Sequence, residues 1–355
     1  MKKSLIALAI AGSFAGSAFA ESAVTVYGIV DMGLVSERGN IAGSAQKLTS
    51  GAQSGTRLGF KGTEDLGNDM KALFVLETGI AADTGGFNQG GNAFARQSFV
   101  GLQSNFGTVT LGRQYTSYFL ALNGVDPFAS GMAGAAINLM SSSGIRMTNT
   151  VKYASPNFAG FNGEVAYGFG EKIGSTDTNR QISASIGYKM NPVNVQLAYH
   201  IKRNDGDFAS SKNLLLGASW DFQVAKAFIA IAENAGPESS PYPWVVPTAT
   251  TPTPNPYGLV TTASTKSRDF LIGATVPFGS HTFIASYIRK DDRNGTNNDA
   301  NQIALGYTYT LSKRTNLYAA WGRIDNKNLA SYTVGNNSDP GTGDKAINLG
   351  VRHVF

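Results

Sequence analysis

From Ala23 to Phe355 the chain reads as sixteen short runs in which apolar and polar residues alternate. The connections alternate as well, a tight turn and then a longer loop. The clearest run is the last. In Lys345–Phe355, Ile347, Leu349, Val351, His353 and Phe355 share one parity, and Ala346, Asn348, Gly350, Arg352 and Val354 share the other. Successive strand side chains point to opposite faces, so such a run is a strand with one mostly apolar face and one small or polar face. The runs are Ala23–Ser36, Ser54–Thr63, Asp69–Ala81, Ala95–Ser104, Thr108–Gln114, Met147–Ser155, Asn162–Phe169, Asn179–Met190, Val193–Asn204, Ser211–Asp221, Gln223–Glu233, Lys266–Val276, His281–Asp291, Asn301–Thr310, Arg314–Ile324 and Asp344–Phe355.

The short connections hold turn residues: Glu64–Asn68, Asn105–Gly107, Asn191-Pro192, Pro277–Ser280 and Leu311–Lys313. The long ones are Glu37–Gln53, Tyr115–Arg146, Asn234–Thr265 and Asp325–Gly343. An even strand count, with turns at one end and loops at the other, is the pattern of an antiparallel barrel in an outer membrane. A closed barrel also faces lipid without unpaired edges. A soluble sandwich or propeller predicts similar alternation but not this asymmetry, and no propeller repeat is visible.

The N-terminus agrees. Lys2 and Lys3 precede the apolar run Leu5–Ala11, and Ala18-Phe19-Ala20 forms a cleavage site before Glu21. This predicts a removed secretory signal over residues 1–20. No later run is apolar enough for a spanning helix. The mean hydropathy of −0.11 fits a barrel whose strands each turn half their side chains to water. The 42 glycines suit turns and curved strands, and the 14 tyrosines and 20 phenylalanines suit interfacial girdles. There is no cysteine, which removes disulfides and thiolate chemistry. The net charge of +5 includes Lys2 and Lys3; without them it is +3, too mild for a nucleic-acid binder.

No catalytic constellation emerges. His200, His281 and His353 stand alone, outside any metal-ligand spacing. There is no G-x-S-x-G elbow and no P-loop, and acid pairs such as Glu64-Asp65 sit at turns. What remains is charge on the inward parity. Arg57 and Lys61 oppose Leu58 and Phe60; Lys71 and Glu77 oppose Phe74 and Leu76; Arg96 shares a parity with Ser98, opposite Phe99. Arg or Lys facing lipid at mid-depth costs about 2–4 kcal/mol, so these groups belong in an aqueous lumen. Two loops differ in character. Gly236–Pro256 holds seven of the twelve prolines and reads as an exposed, extended loop. Tyr115–Arg146 is rich in small and apolar residues, with Asp126 its one acid, and suits folding back inside the barrel.

Several segments together resemble the general porins of Gram-negative bacteria, most closely the β-proteobacterial type. They are Val24–Gly28, Thr56–Gly67, Arg96–Leu102, Phe106–Arg113, Tyr153–Phe158 and Val351–Phe355. The resemblance implies one barrel domain over residues 21–355, a 16-stranded transmembrane antiparallel β-barrel with the third long loop folded inward. It also implies a homotrimer in the bacterial outer membrane, in contact with lipopolysaccharide and delivered by the outer-membrane assembly machinery, with Phe355 as the assembly signal. By motif, Arg57, Arg96 and Arg146 resemble the family's wall arginines, Asp126 the opposing loop acid, and Glu77 a wall acid, with Lys61 nearby on the same face. No cofactor, metal or nucleic acid is implied.

The expected function is passive diffusion of small hydrophilic solutes and ions through a water-filled pore, with no enzymatic step. Three arginines against one loop acid predict anion preference. The competing expectations are a channel specific for an anionic nutrient, which would saturate, and a barrel enzyme or structural surface protein, which would not conduct.

Overall fold

The computed structural model describes residues 23–40, 43–140, 143–204, 210–241 and 264–355. The expected export signal over residues 1–20 and most of the proline-rich stretch lie outside these residues. Alternation builds eighteen strands among the described residues, every pairing antiparallel. They are β1 (Ala23–Asn40), β2 (Gly43–Ser50), β3 (Arg57–Gly67), β4 (Met70–Ala81), β5 (Gly86–Phe87), β6 (Gln97–Ser104), β7 (Gly107–Tyr115), β8 (Arg146–Ala154) and β9 (Phe161–Gly168). After them come β10 (Gln181–Met190), β11 (Val193–Arg203), β12 (Ser210–Asp221), β13 (Lys226–Ala235), β14 (Lys266–Phe278), β15 (His281–Asp292), β16 (Ala300–Thr310), β17 (Thr315–Asn326) and β18 (Lys345–Val354).

Sixteen of these form the closed wall, matching the sixteen expected. The barrel closes where β18 returns to β1, from Ile29↔Val354 to Arg38↔Lys345. Closure leaves no strand edge facing lipid, where an unpaired backbone group costs several kcal/mol. The two extra strands lie in connections read as loops. β2 forms a hairpin on the upper half of β1, Met32↔Ser50 to Asn40↔Gly43, while β3 takes the lower half, Ala23↔Thr63 to Ile29↔Arg57. β5 is a two-residue pairing on the end of β4.

The faces separate as the parity requires. Val24, Val26, Val30, Leu34, Ile347, Leu349 and Val351 are exposed on the outer surface, while Asp31, Ala346 and Asn348 are buried within. Phe106, Phe158, Phe161, Phe222 and Phe278 lie exposed at the short-turn end, the arrangement of an interfacial girdle.

The apolar core lies inside the barrel. Residues 116–140 and 143–145 leave the wall between β7 and β8 and fold inward through helix α1 (Ser117–Val125). The Thr116 side chain caps α1 by accepting from Phe119 N–H at 3.1 Å, and its own N–H donates to Ile145 O at 3.0 Å, closing the base of the loop. Tyr118, Leu122, Val125, Phe128, Met132 and Leu139 pack against Leu215, Leu271, Ile288 and Ile324 of the wall. Small wall residues admit this close approach. A Cβ on Gly217 would stand 2.6 Å from Val125 Cγ2, and one on Gly322 2.3 Å from Ala133 O.

Candidate pore constriction

The inward loop packs on the wall from β10 to β17; on the opposite wall Arg57 keeps a quarter of its side chain exposed while Arg96 and Glu77 are buried. There the register sets charged residues side by side. Arg352 on β18 pairs in register with Asp31 on β1. Arg57 opens β3 beside Ile29 of β1, and Glu77 of β4 lies across from Gly59 of β3 and Gln97 of β6. Arg146 opens β8 opposite Tyr115 of β7.

The side chains join into one network. Arg96 Nε donates to Glu77 Oε1 at 2.8 Å. Tyr27 O–H donates to Glu77 Oε2 at 3.1 Å, and Arg57 Nε lies 3.9 Å from the same oxygen. One buried carboxylate thus holds two arginines and a tyrosine. Tyr115 Oη accepts from Arg96 Nη2 at 2.6 Å and from Arg146 Nη2 at 2.8 Å. The Arg146 guanidinium also stands 4.4 Å from the Tyr115 ring centroid, a cation–π contact. Phe119 of α1 stacks on Tyr115, their ring centroids 5.4 Å apart. The inward loop therefore meets the arginines through an aromatic ring.

Arg57, Arg96, Glu77 and Arg146 lie together in this network. Arg96 does so for a reason other than parity. Strand parity with Ser98 would turn it outward, since Gln97 opposes the inward Glu77 and Ser98 opposes Leu76. Arg96 precedes the regular strand, and its Glu77 contact turns it in. Lys61 lies below the cluster on the same wall, its Nζ 5.3 Å from the Tyr27 ring.

Asp126 departs from expectation. It is 3% exposed, and its carboxylate accepts backbone N–H groups from Phe128 at 2.9 Å, Ser130 at 2.8 Å and Ala136 at 2.9 Å. It ties the loop to itself and turns no charge to the pore. Burial pushes its pKa up to about 6, against the pull of those three donors. Asp126 is the one ionisable acid in residues 116–145, so the loop faces the arginines without an opposing charge.

Sequence reading missed Arg352, Tyr115 and Asp31. Arg352 stands on the polar parity of the last strand and lies within electrostatic reach of Arg57 and Asp31. That parity was a signal for it. Tyr115 gave none, because its role depends on two partners distant in sequence. Asp31 accepts from Tyr318 O–H at 2.6 Å and from the N–H groups of Gln53 and Ser54. Phe355 ends the closing seam. Its N–H and C=O exchange hydrogen bonds with Gly28, both 3.1 Å.

The three histidines occupy separate places. His200 is buried on β11, His281 bonds to Tyr307 at 2.7 Å, and His353 to Thr315 at 2.8 Å.

Comparisons with known proteins agree with this architecture. The Gram-negative porin family profile matches residues 5–329. The chain is 34% identical over 376 residues to outer membrane porin protein 32 of Delftia acidovorans, covering 100% of both. It is 32% identical over 394 residues to an outer membrane porin of Bordetella pertussis, again covering 100% of both. Among solved structures, an anion-selective porin from Comamonas acidovorans superposes with a TM-score of 0.77 at 29% identity, over 94% of this chain and 100% of that one.

Proposed function

The chain belongs to the Gram-negative porin family and is a multi-pass β-barrel of the bacterial outer membrane, and from that premise we propose that it is a general diffusion pore preferring anions. The observation that carries this reading is the arginine cluster on the wall, with Arg57 its more exposed member on Glu77. Arg57, Arg96, Arg146 and Arg352 face two acids, Glu77 and Asp31, and the loop opposite presents no charge. A one-signed wall beside a low-dielectric loop raises the local concentration of counter-ions. The anion-selective Comamonas relative supports the same preference.

Solutes pass by diffusion, with no bond made or broken. The working form is a homotrimer, as the family resemblance implies, delivered by the assembly machinery that reads Phe355, and its outer surface meets lipopolysaccharide. The test is reversal potential across a KCl gradient in a planar bilayer. Arg57 is the most accessible of the two arginines on Glu77, its side chain 25% exposed. A unit charge at 4 Å in water is worth about 1 kcal/mol. Arg57→Ser raises the energy of the anion and lowers that of the cation, and is therefore expected to lower the anion-to-cation permeability ratio by up to about thirtyfold, less at high salt. An unchanged reversal potential removes Arg57 from the selectivity mechanism, and cation preference in the unmodified protein overturns the proposal.

A further inference from the structure

The tip of the inward loop is held in an unusual backbone shape. Ala129, Ser130 and Met132 all have positive φ, at 48°, 57° and 54°. Residues with a Cβ keep that left-handed conformation only where surrounding contacts over-determine it. Those contacts come from the β1–β3 side of the barrel. Residues 51–56, between β2 and β3, leave the wall and turn into the lumen, and Ala52 joins the interior apolar cluster. Met132 N–H donates to Ala52 O at 2.7 Å. A Cβ on Gly131 would stand 2.1 Å from Gln53 O, so the two segments meet backbone to backbone.

Two side chains lock this meeting. Asn337, in the last long loop, donates from Nδ2 to Ser130 O at 2.9 Å and accepts at Oδ1 from Gly55 N–H at 2.7 Å. A neutral amide thus bridges the loop tip and residues 51–56. From the wall, the fully buried Asp31 shapes the segment itself. Its carboxylate accepts from Gln53 N–H at 2.8 Å, from Ser54 N–H and from Tyr318 O–H at 2.6 Å. Its backbone O accepts from Gly51 N–H at 2.8 Å and from Thr56 Oγ1 at 3.0 Å. One residue therefore fixes both ends and the middle of the segment. The arginine cluster lies alongside, since a Cβ on Gly55 would come within 2.7 Å of Arg96 Nη1.

We propose that residues 51–56 are the dock of the inward loop, with Asp31 and Asn337 as positioning residues for the pore. Folded on Asp31, the segment holds the loop tip at a fixed reach into the lumen beside Arg96, and this sets the width of the constriction. Asp31 acts here by hydrogen-bond geometry and not by its charge. An amide in its place keeps an acceptor for Gln53 and Ser54 and a donor for Tyr318 Oη, whereas a methyl group keeps neither. The inference rests on the pore function proposed above and adds to it the residues that fix the aperture.

Exclusion of neutral poly(ethylene glycol) of graded size, read on single channels of the full chain in a planar bilayer, tests it. An uncharged probe reports width independently of selectivity. Asp31→Ala and Asn337→Ala are each expected to admit polymers about 3.5 Å wider, one residue's length of loop travel. Asp31→Asn is expected to keep the cut-off of the unmodified protein. Asn337→Ala changes no charge and lies in a loop, so it makes the test alone should Asp31→Ala fail to assemble. Cut-offs that stay unchanged in the alanine variants overturn the dock. A cut-off in Asp31→Asn equal to that of Asp31→Ala, or a change confined to reversal potential in both, overturns the positioning role of Asp31 in favour of an electrostatic one. Absence of conductance in the unmodified protein overturns the pore function and the dock together, whereas normal conductance with unmoved cut-offs overturns the dock alone.

Discussion

Single residues in this pore act through what they hold. Glu77 is an acid on a wall of arginines, yet it orients Arg57 and Arg96. Asp126 organises a loop from within. Its three backbone donors sit in a buried site, and an unsatisfied buried donor costs about 1–3 kcal/mol. Asp126→Ala is therefore expected to loosen the inward loop and raise single-channel current noise while the barrel stays folded; a quiet channel would show that the knot is dispensable. The carboxyl also titrates far above its ordinary value of 3.8, at about 6. The folded state then holds this proton more tightly than the unfolded chain. Its contribution to stability is fully present below the unfolded value, declines as pH rises, and is lost once pH passes about 6. Hydrogen exchange at the amides of Phe128, Ser130 and Ala136 should report opening energies that rise by roughly 1 kcal/mol per pH unit on descending from 6 to 5. Opening energies constant over that range, after correction for intrinsic exchange, would place the titration elsewhere.

At the scale of elements, all sixteen wall strands were legible because lipid on one side and water on the other force a strict two-residue period. The extra strands were not. β2 runs Gly43–Ser50 with its sequence split among small and polar residues, and its Lys47 ties it to the last long loop as well as to β1, Nζ lying 2.9 Å from both Glu37 and Asp339. No local pattern announces a strand held by a partner almost three hundred residues away. The inward loop was legible in outline, since an apolar, nearly uncharged segment between strands suits an interior. Its depth was not, because depth is set by the wall beneath it. Gly217 and Gly322 lie under the loop at contact distance. Gly322→Val adds bulk against Ala133 O, an overpacking of about 1–3 kcal/mol. The loop relieves it by moving toward the lumen, so unit conductance is expected to fall with the barrel intact. Conductance equal to that of the unmodified channel would mean that the wall yields instead.

The whole molecule is asymmetric across its lumen. One side is a packed interior made by the loop, and the other is the arginine wall. Both depend on a closure joining residues at opposite ends of the chain. The β1–β18 seam pairs Ile29 with Val354 and ends with Phe355 clasped to Gly28 by two backbone hydrogen bonds. The phenyl ring stands over Gly28, where a Cβ would come within 2.4 Å of its Cζ, so the first strand keeps a glycine where the last residue must lie. Contacts of such sequence separation carry the largest loop-closure entropy and form slowly. Arg352 stands on β18 itself and Arg57 on β3 beside β1, but the bonds that hold Arg57, Arg96 and Arg146 run to Glu77 and Tyr115. Deleting Phe355 should therefore slow assembly into lipid vesicles, read as delayed appearance of the heat-stable folded band on gels. Channels that do assemble should retain their unit conductance and selectivity. An unchanged assembly rate would take closure out of the slow step, whereas altered selectivity would mean that the seam also positions Arg57 and Arg352.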